Sequence, residues 1–146
     1  MPLTYSVYND RLKLVYKDRP KEALRYMKDF RLAESEFRFM KIVWENRPLA
    51  SAQLVKLCAD RLGWKKSTTY TVLKRLADKE MVKNENSVIT ALVSEKEVQA
   101  YESAAVVDRS FGGNLPDFVA AFMGGRKLNK KDADRLRQMI EEFEED

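Results

Sequence analysis

Histidine is absent from all 146 residues, and with it go the chemistries that need an imidazole: serine-type hydrolytic triads, histidine-ligated zinc and most proton shuttles near neutral pH. The single cysteine, Cys58, has no partner for an internal disulfide. It stands among Leu54, Val55, Leu57 and Leu62, where a buried packing role is expected rather than redox chemistry. Glycine is scarce, five residues in all, and four of these fall in two pairs, Gly112-Gly113 and Gly124-Gly125. Neither pair is followed by the Lys-Ser/Thr or the third spaced glycine of a phosphate-cradling loop, so both read as helix stops. No run of about 18 apolar residues exists to span a bilayer, and the charged stretch after Met1–Tyr5 lacks the apolar stretch of a signal peptide. The chain is expected to work in the cytoplasm, away from membranes and without metal or cofactor.

What is present is a modest positive charge, unevenly placed. The net charge is +4. Residues 32–94 hold eleven Lys/Arg against seven Asp/Glu, whereas residues 95–146 hold eight against twelve, and residues 1–31 eight against four. A basic front and an acidic rear suggest that one end meets a polyanion and the other meets protein or water.

The chain divides accordingly into an extension (1–31), a central domain (32–94) and a helical rear (95–146). In the extension, Pro20 at a first helical position opens a short predicted helix over Lys21–Met27. From Glu34, the residues Phe37, Met40, Ile42, Val43 and Trp44 recur at helical spacing until Asn46-Arg47-Pro48. Ser51 is placed to cap a second helix from Ala52 to about Leu62, ended by Gly63-Trp64. A third helix begins at or beside Ser67, its Thr69, Val72, Leu73 and Leu76 forming a buried stripe. Met81–Lys83 and Val88–Val93 read as two short strands around a polar turn, Asn84–Ser87. The fold class is therefore mainly α with a small β-hairpin, in the order of a winged helix-turn-helix. Ser94-Glu95-Lys96-Glu97 is a capping box that starts a fourth helix to about Phe111. Two more follow, from about Pro116 to Met123 and from Lys130, after the cap Asn129, to Glu144.

Function is expected on the third helix. A helix that enters the major groove needs small polar side chains near its N-terminus for base edges, and cations beside them for phosphates. Ser67, Thr68, Tyr70 and Thr71 supply the first requirement. Lys65, Lys66, Lys74, Arg75 and Lys83 supply the second, with Lys79 adding to the surrounding charge and only Asp78 and Glu80 opposed in the same stretch. The turn at Asn84–Ser87 carries no arginine, so deep minor-groove insertion is not expected.

Three stretches, Leu32-Ala33-Glu34-Ser35-Glu36 through Trp44, Ser51-Ala52-Gln53-Leu54-Val55 and Lys66-Ser67-Thr68-Thr69-Tyr70-Thr71-Val72-Leu73-Lys74-Arg75-Leu76, resemble the penicillinase-repressor and methicillin-resistance-repressor family of bacteria. The likeness spans about residues 32–146. It implies a homodimeric winged-helix repressor on a palindromic operator, with Thr68, Tyr70 and Thr71 at base-reading positions and Ser67 and Arg75 on phosphates. It also implies a regulatory protease as partner, yet Val106-Val107 stands where the antibiotic-responsive relatives have the Asn-Phe bond that is cut. Lys79-Glu80-Met81 replaces the usual Lys-Gly before the first wing strand. The acidic end, Glu141–Asp146, replaces the paired cysteines of the copper-responsive branch.

The apolar content of the rear segment points the same way. Val98, Tyr101, Ala105, Phe111, Leu115, Phe118, Val119, Phe122, Met123, Leu128, Leu136, Met139, Ile140 and Phe143 are more apolar groups than three short helices can bury, so a second copy is the expected cover. The rival reading is a winged-helix protein-interaction module without sequence-specific DNA binding, which salt-insensitive or absent DNA binding would favour.

Overall fold

The computed structural model describes residues 29–145. The short helix expected over Lys21–Met27 lies outside them. Helical apolar spacing makes α1 (Glu34–Glu45), which buries Phe39, Met40, Ile42, Val43 and Trp44 on one side. Its N-cap, Ala33, has no side-chain acceptor, so half of a capping box stands alone: Glu36 reaches back to accept from the Ala33 N–H at 2.9 Å. At the other end the Asn46 side chain donates to the Ile42 carbonyl and closes the helix.

After Pro48 the chain makes a two-residue strand, β1 (Leu49–Ala50), which the sequence reading did not anticipate. Two residues are too short to show a period. The strand exists because β3 (Val88–Ala91) offers it a free edge, in antiparallel register Leu49↔Ile89 and Ala50↔Val88. This pairing also corrects the expected cap of the second helix. Ala50, held extended by its partner, is the N-cap of α2 (Ser51–Leu62), and Ser51 lies inside the helix with its N–H donated to the Ser87 carbonyl. Gly63, at φ +69°, ends α2 in the left-handed region and turns the chain within three residues into α3 (Lys66–Asp78).

The predicted stripe Thr69, Val72, Leu73 and Leu76 is buried in α3 as expected. The helix ends in a Schellman motif: Met81 N donates to Leu76 O at 2.9 Å and Glu80 N to Ala77 O at 3.0 Å, with Leu76 and Met81 both fully buried. The replacement of Lys-Gly by Lys79-Glu80 therefore does not abolish the turn. Glu80 takes the left-handed conformation itself, at φ +59°. That conformation costs a side-chain-bearing residue about 1 kcal/mol, so Glu80→Gly is expected to raise the melting temperature by roughly 2–4 °C, readable by thermal unfolding; an unchanged or lower value would show that the Glu80 side chain returns as much as its backbone costs.

β2 (Val82–Glu85) pairs with β3 in register from Val82↔Ala91 to Glu85↔Val88, giving a sheet of order β1-β3-β2. The wing turn is tighter than the predicted Asn84–Ser87. Asn84 and Glu85 belong to the ladder, and only Asn86 and Ser87 turn, both at positive φ as a two-residue hairpin of the right twist requires.

α4 (Glu95–Phe111) starts at the predicted capping box, with Ser94 Oγ accepting from Glu97 N and Glu97 Oε2 accepting from Ser94 N. It is tied to the domain by a Lys41–Glu95 ion pair at 2.7 Å, by Val98 and Tyr101 in the core, and through the neighbouring Val93 carbonyl, to which the Trp44 indole donates. Phe30 joins the same core, edge-on to the Tyr101 ring at 5.8 Å. Asp29 beside it accepts from Tyr101 OH and from the Arg31 guanidinium, which holds its carboxyl down to about 2. The core thus draws in residues on both sides of 32–94.

Beyond Gly112-Gly113 come α5 (Leu115–Met123) and α6 (Lys130–Phe143), capped by Asn114 and Asn129 as the sequence suggests for the latter. Neither helix has a buried residue.

Candidate nucleic-acid interface

The side chains of α3 divide cleanly. At about 100° per residue, the buried stripe occupies one arc and leaves Ser67, Thr71, Lys74 and Asp78 in the middle of the opposite one, with Arg75 and Thr68 toward one margin and Tyr70 at the other. Ser67, Thr68, Tyr70, Thr71, Lys74 and Arg75 are all exposed, as are Lys65 and Lys66 at the helix start. The structure therefore brings eight of the nine predicted residues onto one helix and its N-cap. The ninth, Lys83, is exposed on β2 and pairs with Glu85 at 2.9 Å, so part of its charge is already engaged within the wing.

The N-terminus of α3 is open. Lys65 is the N-cap and offers no side-chain hydrogen bond, and the first intrahelical donor is Thr69 N to Lys65 O. The N–H groups of Lys66, Ser67 and Thr68 lie ahead of that bond at the positive end of the helix dipole, where an anion is favoured. Lys66 also stands over the Tyr70 ring at 6.0 Å from its centre.

The two threonine types separate by role. Thr69 is fully buried and its hydroxyl donates to Lys65 O. Thr71 is exposed and its hydroxyl donates to Ser67 O at 2.9 Å. With its proton committed to the helix, Thr71 presents an accepting oxygen and a methyl group outward.

Behind this face stands a residue the sequence reading quoted but did not assign: Glu36 of α1, a carboxylate only 3% exposed. Lys79 Nζ lies 3.3 Å from both of its oxygens and Arg75 Nε 3.9 Å from one. Its signal in the sequence is the acidic third position of a helix start, which local reasoning reads as a cap alone. Cys58 is buried as expected, and burial pushes its thiol up toward the neutral, unreactive form. Among the described residues no group of His, Cys, Asp and Glu is arranged to hold a metal ion, and no helix is long and apolar enough to cross a membrane.

Three helices, a short third strand and a tight wing, with a polar and basic helix face turned outward, define a winged helix-turn-helix protein carrying a second helical region. Residues 32–142 match the family described as Penicillinase repressor, and the chain belongs to that family. It is 23% identical over 115 residues to the penicillinase repressor of Bacillus licheniformis, covering 76% of this chain and 90% of that protein. It is 20% identical over 120 residues to the penicillinase repressor of Staphylococcus aureus, covering 80% and 95%. An uncharacterised 16.5 kDa protein of Latilactobacillus sakei is 26% identical over 113 residues, covering 75% and 77%. The chain is thus a member of a family of transcriptional repressors, and the match begins where the predicted N-terminal extension ends.

Proposed function

We propose that this protein is a sequence-specific repressor that binds double-stranded DNA in the cytoplasm as a homodimer, on a palindromic operator, and performs no catalysis. The observation that carries the proposal is the outward face of α3, where Ser67, Thr68, Tyr70 and Thr71 are framed by Lys65, Lys66, Lys74 and Arg75 on a helix whose buried stripe fixes their direction. Inserted in the major groove, the hydroxyls meet base edges and the cations meet phosphates on either side. The open N–H groups at the start of α3 add a phosphate contact. Lys83 on the wing reaches the backbone beyond the groove. The α5 and α6 faces supply the dimer, which sets two α3 helices one duplex turn apart.

Selection of bound fragments from a random-sequence duplex pool tests the reading. A recovered inverted repeat, bound with a steep fall in affinity as salt rises, is the expected result. Failure to enrich any sequence, or binding that ignores salt, would support a protein-interaction module instead. Thr71→Ala is expected to relax preference at one position of each half-site, by about 1–3 kcal/mol of discrimination, with little change in the salt slope. Equal loss on every sequence would remove Thr71 from base reading.

The proposal does not require the regulatory protease that the family likeness suggests. Val106 is 38% exposed and Val107 partly buried, both inside the continuous helix α4. A protease needs an extended substrate backbone, so cutting there requires α4 to open first.

A further inference from the structure

Glu36 is a charged group in a place where charge is expensive. A carboxylate removed from water costs several kcal/mol unless it is paired. Its local duty, accepting from the Ala33 N–H at the start of α1, needs no charge, since a glutamine at that position serves as well. Two cations from the C-terminal end of α3 and its cap nevertheless converge on it.

The two cations are held differently. Lys79 Nζ sits 3.3 Å from both carboxylate oxygens and supplies the countercharge. Arg75 turns its Nε edge toward the same carboxylate at 3.9 Å while its side chain stays 51% exposed. The guanidinium is a planar fork with donors on two edges. With Nε the nitrogen nearest the carboxylate and half of the side chain exposed, the guanidinium keeps donors for a second partner. An unguided arginine loses much of its rotamer freedom when it is fixed on a partner, and a side chain already restrained loses less.

Resting on the DNA-binding reading above, we propose that Glu36 is a positioning residue: it orients Arg75 for a backbone phosphate of the duplex, and Lys79 neutralises it so that Arg75 keeps its own charge for the DNA. Buried charge in α1 thereby sets the geometry of a contact made by α3.

The test uses the full chain and two duplexes, the tightest binder from the random pool and an unrelated sequence of equal length. Glu36→Gln retains the acceptor for Ala33 N–H. It is expected to weaken binding to the selected duplex about tenfold and to weaken the unrelated duplex as well, because a backbone-phosphate contact is lost on any sequence. The double variant E36Q/K79M restores the net charge and removes the stranded cation, and the same tenfold loss is expected. In an Arg75→Ala background the Glu36→Gln effect disappears if the carboxylate acts through Arg75. An undiminished effect in that background, or unchanged binding to the selected duplex in either variant with normal melting, overturns the proposal. Should the unaltered protein bind no duplex in a salt-dependent way, the reading of function falls first; a null effect confined to Glu36 leaves that reading intact.

Discussion

Replacing Lys74 and Arg75 together with alanine is expected to lower affinity for the selected duplex by about a thousandfold and to flatten its salt dependence. In the proposed dimer each half-site loses two cations, four in all, and at about 1 kcal/mol for each exposed charge-assisted contact the sum is about 4 kcal/mol, or nearly three decades. Each phosphate contact contributes about 0.9 to the slope of log affinity against log salt, so the slope should shrink by about 3.6. Both side chains are exposed, Lys74 makes no ion pair among the described residues, and Lys79 still pairs with Glu36 when Arg75 is gone, so the fold should hold. A titration of the selected and unrelated duplexes at several salt concentrations checks both numbers. An unaltered slope would mean that these cations face water in the complex and that α3 does not carry the interface.

Charging the rear helices should do as much damage without touching α3. The apolar residues of α5 recur as Leu115, Phe118, Val119 and Phe122, and those of α6 as Ala133, Leu136, Met139, Ile140 and Phe143, each set at the spacing of one helix face. In the single chain this face is open: Leu115 is 58% exposed, Phe122 56%, Ile140 66% and Phe143 78%. Water is a poor partner for so much apolar surface. A Phe122→Asp/Ile140→Asp variant is expected to sediment as one chain of 17.0 kDa, and the unaltered protein, on the proposed reading, as two. Because the second half-site then binds as an independent event, affinity for the inverted repeat should fall by about 10²–10⁴. The melting of the winged domain should change little, since neither side chain packs in its core. A dimer that survives both charges would assign the α5 and α6 face to some other duty.

Much of this architecture was legible in the residues because local rules and tertiary demands agree. Thr69, Val72, Leu73 and Leu76 are buried where a period of 3.6 places them, and the exposed remainder of α3 follows from the same count. Ser94 and Glu97 cap α4 reciprocally, as their spacing announces. Asn129 accepts from Asp132 N at the start of α6. In each case the deciding contact is made within one turn of helix, so neighbours in sequence contain the whole cause.

The departures arose where a distant partner intervened. Ser51 is a good capping residue by composition, but Ala50 takes the cap because Val88, 38 positions away, holds it in a strand. The wing turn is shorter than its polar residues suggest, because Asn84 and Glu85 find ladder partners in Ile89 and Val88. Glu80 enters the left-handed region that a glycine would occupy, since the buried pair Leu76 and Met81 fixes the path of the chain on either side of it.

From its residues alone the chain determined the succession of helices and strands, the inward and outward faces of α3, and the split between a basic front and an acidic rear, since periodicity, caps and charge are written in adjacent positions. The folded molecule decided the third strand, the burial of Phe30 against Tyr101, and the meeting of Glu36 with Arg75 and Lys79. Those contacts join residues about 40 to 70 positions apart, and their energies depend on burial and on distances that only the packing of one element against another creates.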